Sequence, residues 1–155
     1  MATTITSADL TVKITESISL NGSSQGSSNT TIFSGINEIS KRIVSVTTTE
    51  ATILTFSAAM GQGTYIAANV RYIRFTNLDD TNHIMLTFKD EDNTEFRIKV
   101  DAGKSFIFNG DNSGGLVDTM KANGAALASG LADLYDITAD ADTATVDLEM
   151  FIASV

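Results

Sequence analysis

His83 is the sole histidine of the chain, and two acidic residues, Asp79 and Asp80, stand just before it. An imidazole that moves protons in acyl transfer needs a nucleophile on one side and an orienting carboxylate on the other. No such trio is spelled out around His83, which reads instead as a strand-start residue after a turn. Two acidic groups have the oxygen ligands that suit calcium: Asp90, Glu91, Asp92 and Asn93, and the trio Asp136, Asp140 and Asp142. The run Asp90-x-Asp92-x-Thr94 begins like a calcium loop but lacks the glycine at its sixth position. These residues read as solvated turns. Gly61-x-Gly63 lacks the third glycine of a dinucleotide loop, and the glycine-rich stretch Asn109–Gly115 is not followed by the lysine of a phosphate cradle. An acidic pair for glycoside hydrolysis would want aromatic platforms nearby. The chain has no Trp, and its three tyrosines, Tyr65, Tyr72 and Tyr135, are dispersed. No enzymatic activity and no cofactor or metal are expected.

The elements around these residues are better defined than any chemistry. Residues 70–108 carry short alternating apolar runs separated by Asp, Asn and Gly, the pattern of successive antiparallel strands with one dry face. Strands are expected at about 70–77, 82–89, 94–100 and 104–108. Leu10, Val12, Ile14, Ile18 and Leu20 share one parity and predict one long strand over 10–20. The Gly/Ser tract 21–29 reads as a flexible loop or a hairpin tip. Ile32, Ile36, Ile39 and Ile43 are spaced 4, 3 and 4. That spacing is helical, yet the Thr, Ser, Gly and Asn around them favour strand or irregular chain, with one helical turn near 36–40 the exception allowed. Leu127, Leu131 and Leu134 are also helically spaced, while Gly124 and Gly130 weigh against a helix. A loop leading into a strand is expected there. Val146, Leu148, Met150 and Ile152 alternate along a final strand.

Thr-rich and proline-free, the chain must build its turns from Gly, Asn and Asp. The expected fold is all-β: an antiparallel two-sheet sandwich, jelly-roll-like, of about nine strands and at most one short helix. It forms a single domain over 1–155, with 1–8 as an extended arm. Without cysteine there is no disulfide framework. A net charge of −9, with Lys41-Arg42 the only adjacent basic pair, speaks against nucleic acid as partner. No apolar run approaches a membrane span of about 18 residues, and the N-terminal stretch lacks the pattern of a signal peptide.

Five blocks, ESISLNGSSQGSSNTTI (16–32), INEISKRIVSV (36–46), YIRFTNLDDTNHIMLTF (72–88), IKVDAGKSFIF (98–108) and ITADADTATVDLEMFIAS (137–154), cover most of the chain. Their order resembles small β-sandwich virion proteins of tailed bacteriophages, particularly those infecting marine bacteria. The resemblance implies a capsid decoration (cement) protein on the capsid surface, made in the host cytoplasm. Its partner would be the major capsid protein, and it would act as a homo-oligomer, with a trimer favoured. It transfers no functional residues. The alternative is a receptor- or glycan-binding sandwich module of a tail fibre or adhesin. Interface candidates are Thr3, Thr4 and Ile5, as a strand laid along a neighbour's edge, and Phe106, Phe108 and Phe151, on strands apolar on both faces.

Overall fold

The computed structural model describes residues 4–61, 63–121 and 130–155. The long strands are β1 (Ala8–Thr15), β4 (Ser28–Ile36), β5 (Glu38–Val46), β6 (Ala51–Ser57), β8 (Val70–Asn77), β9 (Ile84–Asp90), β10 (Glu95–Val100), β11 (Ser105–Asn109), β14 (Leu134–Ala141) and β15 (Val146–Ser154). Five two-residue strands complete the set: β2 (Ser19–Leu20), β3 (Ser23–Ser24), β7 (Tyr65–Ile66), β12 (Met120–Lys121) and β13 (Leu131–Ala132). The helical content of the described residues is one 3-10 turn, Ala67–Asn69. Residues 36–40 form no helical turn: β5 begins at Glu38. The helical spacing that ends in Leu131 and Leu134 gives two strands, while Leu127 lies outside the described residues.

Two sheets form the sandwich. One runs β10-β9-β14-β6-β7 and the other β11-β8-β15-β5. Numbered along the chain, the eight long strands from β5 to β15 take the orders 5-4-7-2 and 6-3-8-1. First therefore pairs with last, second with seventh, third with sixth and fourth with fifth, all antiparallel. These eight strands thus form one long hairpin, its tip at the β9–β10 turn, rolled until its halves face each other. That is the jelly roll. With the two-residue β7, which pairs parallel with β6, the two sheets hold nine strands, whereas the strand expected over 10–20 lies outside them.

Parity fills the space between the sheets. Val146, Leu148, Met150 and Ile152 are buried against Ile73, Phe75, Phe88, Leu86, Ile84 and Ile137. Phe88 is the hub. Its ring stacks on Phe96 at 4.8 Å and meets Phe75, Phe106 and Phe108 at 6.2, 5.6 and 5.4 Å. Asn77, fully buried, replaces a proline turn by chemistry. Its amide nitrogen donates to the carbonyls of Asn82 and Val100, and its oxygen accepts from the Asp79 amide. Asp79 in turn accepts from the amides of Thr81 and Asn82, bonds that hold its carboxyl below the ordinary value.

One end of the roll is closed by the segment 109–119. Leu116, fully buried, donates its amide to the Ala67 carbonyl at 2.7 Å. Gly115 beside it has φ +62°, and a Cβ there would sit against the Ala67 carbonyl and 2.6 Å from the Ala68 carbonyl carbon. Gly115→Ala is therefore expected to destabilise the fold by at least about 1–3 kcal/mol, the cost of an L residue forced into that backbone region. Urea unfolding checks it by a lower midpoint.

The structure adds a third layer. β1 and β4 pair antiparallel and lie on the outer face of the four-stranded sheet. Their register is constant from Leu10↔Phe33 to Thr15↔Ser28 and resumes unchanged at Ser19↔Ser24 and Leu20↔Ser23. The amides of Glu16 and Gln25 bridge the gap, donating to Ser27 and Ile18. Residues 8–36 are thus one continuous two-stranded arm, turning at Asn21-Gly22. Both turn residues have positive φ, 51° and 77°, as a two-residue type I′ turn requires. The strand expected over 10–20 is present. Of the two readings of the tract 21–29 the structure has the hairpin tip: the turn and the first half of the return strand.

Candidate interaction surface

The arm is anchored only at its base. Phe33 and Ile36 are buried against Tyr72 and Ala153, with Leu10, Val12, Ile107 and Phe151 packed around them. Phe33 lies 5.6 Å from the Tyr72 ring, and Tyr72 meets Phe151 edge-on at 6.0 Å. Beyond that contact, every residue of 13–32 is exposed. The even-parity face that covers Tyr72 through Leu10 and Val12 continues outward as Ile14, Glu16, Ile18 and Leu20. Those three apolar side chains are 46, 56 and 61% exposed. A two-stranded hairpin without a packed face is marginal in water, and each ordered residue costs about 1–2 kcal/mol of backbone entropy. The outer arm has no burial of its own to offset this.

A second exposed apolar stripe lies on β5, the edge strand of the four-stranded sheet. The inward residues Val44 and Val46 pair with Leu148 and Val146. The outward ones are Ile39, Lys41 and Ile43, and the two isoleucines are 59 and 58% exposed. Lys41 Nζ lies 3.2 Å from Glu149, whose other oxygen takes Arg74 at 2.7 Å. Arg74 and then Lys41 hold the Glu149 carboxyl below its ordinary value.

The outer face of the five-stranded sheet has a different character. Glu50 accepts from Thr138 and pairs with Arg97 at 2.9 Å and Lys89 at 3.5 Å. Burial raises the pKa of Asp136 in the same face, the neighbouring Lys89 only partly countering it, and its Oδ1 has no hydrogen-bond partner. The charged form therefore carries a cost in the fold. The neutral form's advantage is complete below the ordinary value of 3.8 and disappears as pH rises through the folded value. Asp136→Asn should raise the melting temperature at neutral pH, and the gain should shrink to nothing as pH falls below the carboxylate range. A pair of pH-dependent melting series measures this.

The interface candidates read from sequence fall in three places. Thr3 lies outside the described residues. Thr4 and Ile5 are exposed, and Ile5 shares an apolar groove with Leu10, Ile36 and Ile39. Phe106 and Phe108 turn inward to the Phe88 cluster, and Phe151 turns outward beneath the arm. These three are occupied within the chain. The stripes that do face solvent lie elsewhere, on the arm and on β5. Asn21-Gly22 flanked by alternating residues was the signal for the arm.

The first acidic group holds a turn as expected, but the second does not: Asp136 and Asp140 lie within β14, and only Asp142 stands in the turn after it. Asp90 Oδ1 accepts from the amides of Asp92 and Thr94, and His83 Nδ1, just before β9, lies 3.4 Å from Asp142 in the β14–β15 turn. Gly22-Ser23-Ser24-Gln25-Gly26 has the spacing of a nucleophile elbow. It forms the return of an exposed ribbon, whereas an elbow needs a strand-to-helix turn. A cleft of about 470 Å³ opens at one end of the sandwich, lined by Phe56, Asp90, Glu91, Asp133, Leu134 and Tyr135 among others.

No family model matches the chain, and no curated protein matches it. A solved structure is similar over 100% of this chain and 96% of its own, with TM-score 0.44 and 12% identity. It belongs to Bacillus endospore appendages, described as disulfide-linked pili. A likeness at that level adds nothing to the fold, which rests on the sheet order above.

Proposed function

We propose that this chain is a structural protein of a tailed-phage particle, a capsid decoration protein that binds and stabilises the assembled shell without enzymatic turnover. The carrying observation is the arm. A jelly roll whose own core is complete extends a ribbon, 13–32, that is exposed on every residue and carries Ile14, Ile18 and Leu20 in one row of its outgoing strand. Such a ribbon gains order by lying on something else, and weak contacts of this kind add up when a lattice presents many copies. Two of the sequence blocks that resemble virion proteins, 16–32 and 36–46, are the outer arm and β5, the two elements with exposed apolar stripes. The major capsid protein is the partner this reading requires, and a negative net charge keeps free copies apart before assembly.

Quantitative mass spectrometry of purified particles tests the role. On the order of hundreds of copies per particle supports a shell component, whereas about six or twelve, the numbers of axial symmetry, moves the protein to neck or tail. Absence from particles ends the reading. The alternative, a glycan-binding module, would use the cleft beside Tyr135, whose side chain is 53% exposed. Glycan binding by the isolated chain, lost in Tyr135→Ala, would favour it.

A further inference from the structure

The outer arm and the outward face of β5 carry the same pattern with opposite charge. Along the arm the stripe reads Ile14-Glu16-Ile18, and along β5 it reads Ile39-Lys41-Ile43. Both are every-other-residue rows on extended strands, so the two isoleucines of each row stand about 13 Å apart. Laid on one another, the rows put isoleucine on isoleucine at both ends and Glu16 against Lys41 in the middle. The pattern is symmetric, so the match holds for either strand direction. Within one copy the rows do not cover each other, since all four isoleucines are 46–59% exposed.

We propose that the arm of one copy docks on the β5 face of a second copy. The arm supplies Ile14, Glu16, Ile18 and Leu20, and the β5 face supplies Ile39, Lys41 and Ile43.

The contact is continuous with packing already made inside the chain. The inner part of the same arm face, Leu10 and Val12, covers the neighbouring part of the same sheet face, beside Tyr72 and Phe151. The arm thus presents to a second copy the kind of surface it uses on its own body. Lys41 already meets Glu149. Its ammonium has three donors, and its side chain is 60% exposed, so a second carboxylate can share it. The other charges near the two rows are Lys13 on the arm, and Asp9, Glu38, Arg42, Arg74 and Asp147 around β5. Among the described residues, the Glu16 side chain accepts from Ser27 Oγ at 2.7 Å.

Arm and acceptor are different surfaces, so the contact is heterologous. Each copy gives one arm and receives one. Such a contact closes into a ring if the rotation between copies allows and otherwise runs on as a filament. This inference deepens the assembly reading of the arm but does not depend on the capsid.

Sedimentation of the purified chain over a micromolar to millimolar series tests it, with no particle present. The wild type should self-associate. Glu16→Lys and Lys41→Glu should each weaken association by about tenfold or more, because like charges then face each other. The double variant carrying both should recover most of the loss. Ile18→Thr, which changes no charge, should also weaken association, and unchanged melting temperatures confirm that each variant is folded. A wild type that stays monomeric throughout, single reversals without effect, or a double variant that recovers nothing would each overturn the docking. A chain that associates in this way yet is missing from virions would keep this inference and end the capsid reading. A monomeric chain present in hundreds of copies per particle would do the reverse.

Discussion

Phe88→Ala should cost about 3–5 kcal/mol of stability, the range for truncating a fully buried aromatic side chain. In a domain of this size that corresponds to a fall in melting temperature of about 10 °C. The reason is position. Phe88 has no exposed surface and touches four other aromatic rings, one from its own sheet edge and three from the opposing sheet. Its loss leaves a void between β9 and β8–β11 that none of those rings can fill without leaving its own partner. Calorimetry of the variant checks the figure. A drop of only one or two degrees would mean that the two sheets are not held together at this point.

Phe33→Ala is expected to act on a different part of the molecule. Phe33 is buried between the arm and Tyr72, and with Ile36 it supplies the fully buried side chains of the arm's anchor. Removing about 3 kcal/mol from that contact raises the population of detached arm about a hundredfold. The sandwich beneath should keep most of its melting temperature, because its core lies on the other face of the sheet. Trypsin reads the difference: cleavage after Lys13, which is exposed on the arm, should accelerate strongly in the variant. If cleavage is unchanged while the whole domain melts earlier, the arm and sandwich form one cooperative unit and the anchor has been misplaced.

The jelly roll was legible wherever period-two alternation met Asp, Asn or Gly turns. Val146, Leu148, Met150 and Ile152 declared their buried face, and the strands at 70–77 and 82–89 were placed within two residues. The arm was half legible. Leu10, Val12, Ile14, Ile18 and Leu20 gave its outgoing strand, but the first half of the return strand, 23–29, holds only Ser, Gly, Gln and Asn, and composition of that kind reads as a flexible tract. Its partner strand, not its own side chains, makes it extended.

The isoleucines at 32, 36, 39 and 43 mimicked a helix for a geometric reason. They straddle the junction between two strands of different layers, so Ile32 faces solvent on the arm, Ile36 faces the sandwich, and Ile39 and Ile43 lie outward on β5. No single period describes such a junction. The alternation along β15 puts Phe151 on the face opposite Val146, Leu148 and Met150, and Ile107 lies on the same outer face. What covers that face is set about seventy to a hundred and forty residues away by Phe33 and Leu10, a distance over which pattern alone carries no pairing.

Amide hydrogen exchange over residues 13–32, compared between the isolated chain at low concentration and the assembled particle, tests the central claim most directly. In the isolated chain these amides should exchange far faster than those of β9 and β14, since no packed face holds the ribbon closed. In the assembly they should be protected as the core strands are. Equally fast exchange in both states would contradict the account, because the arm would then lie on nothing and the protein would be held in place by some other surface.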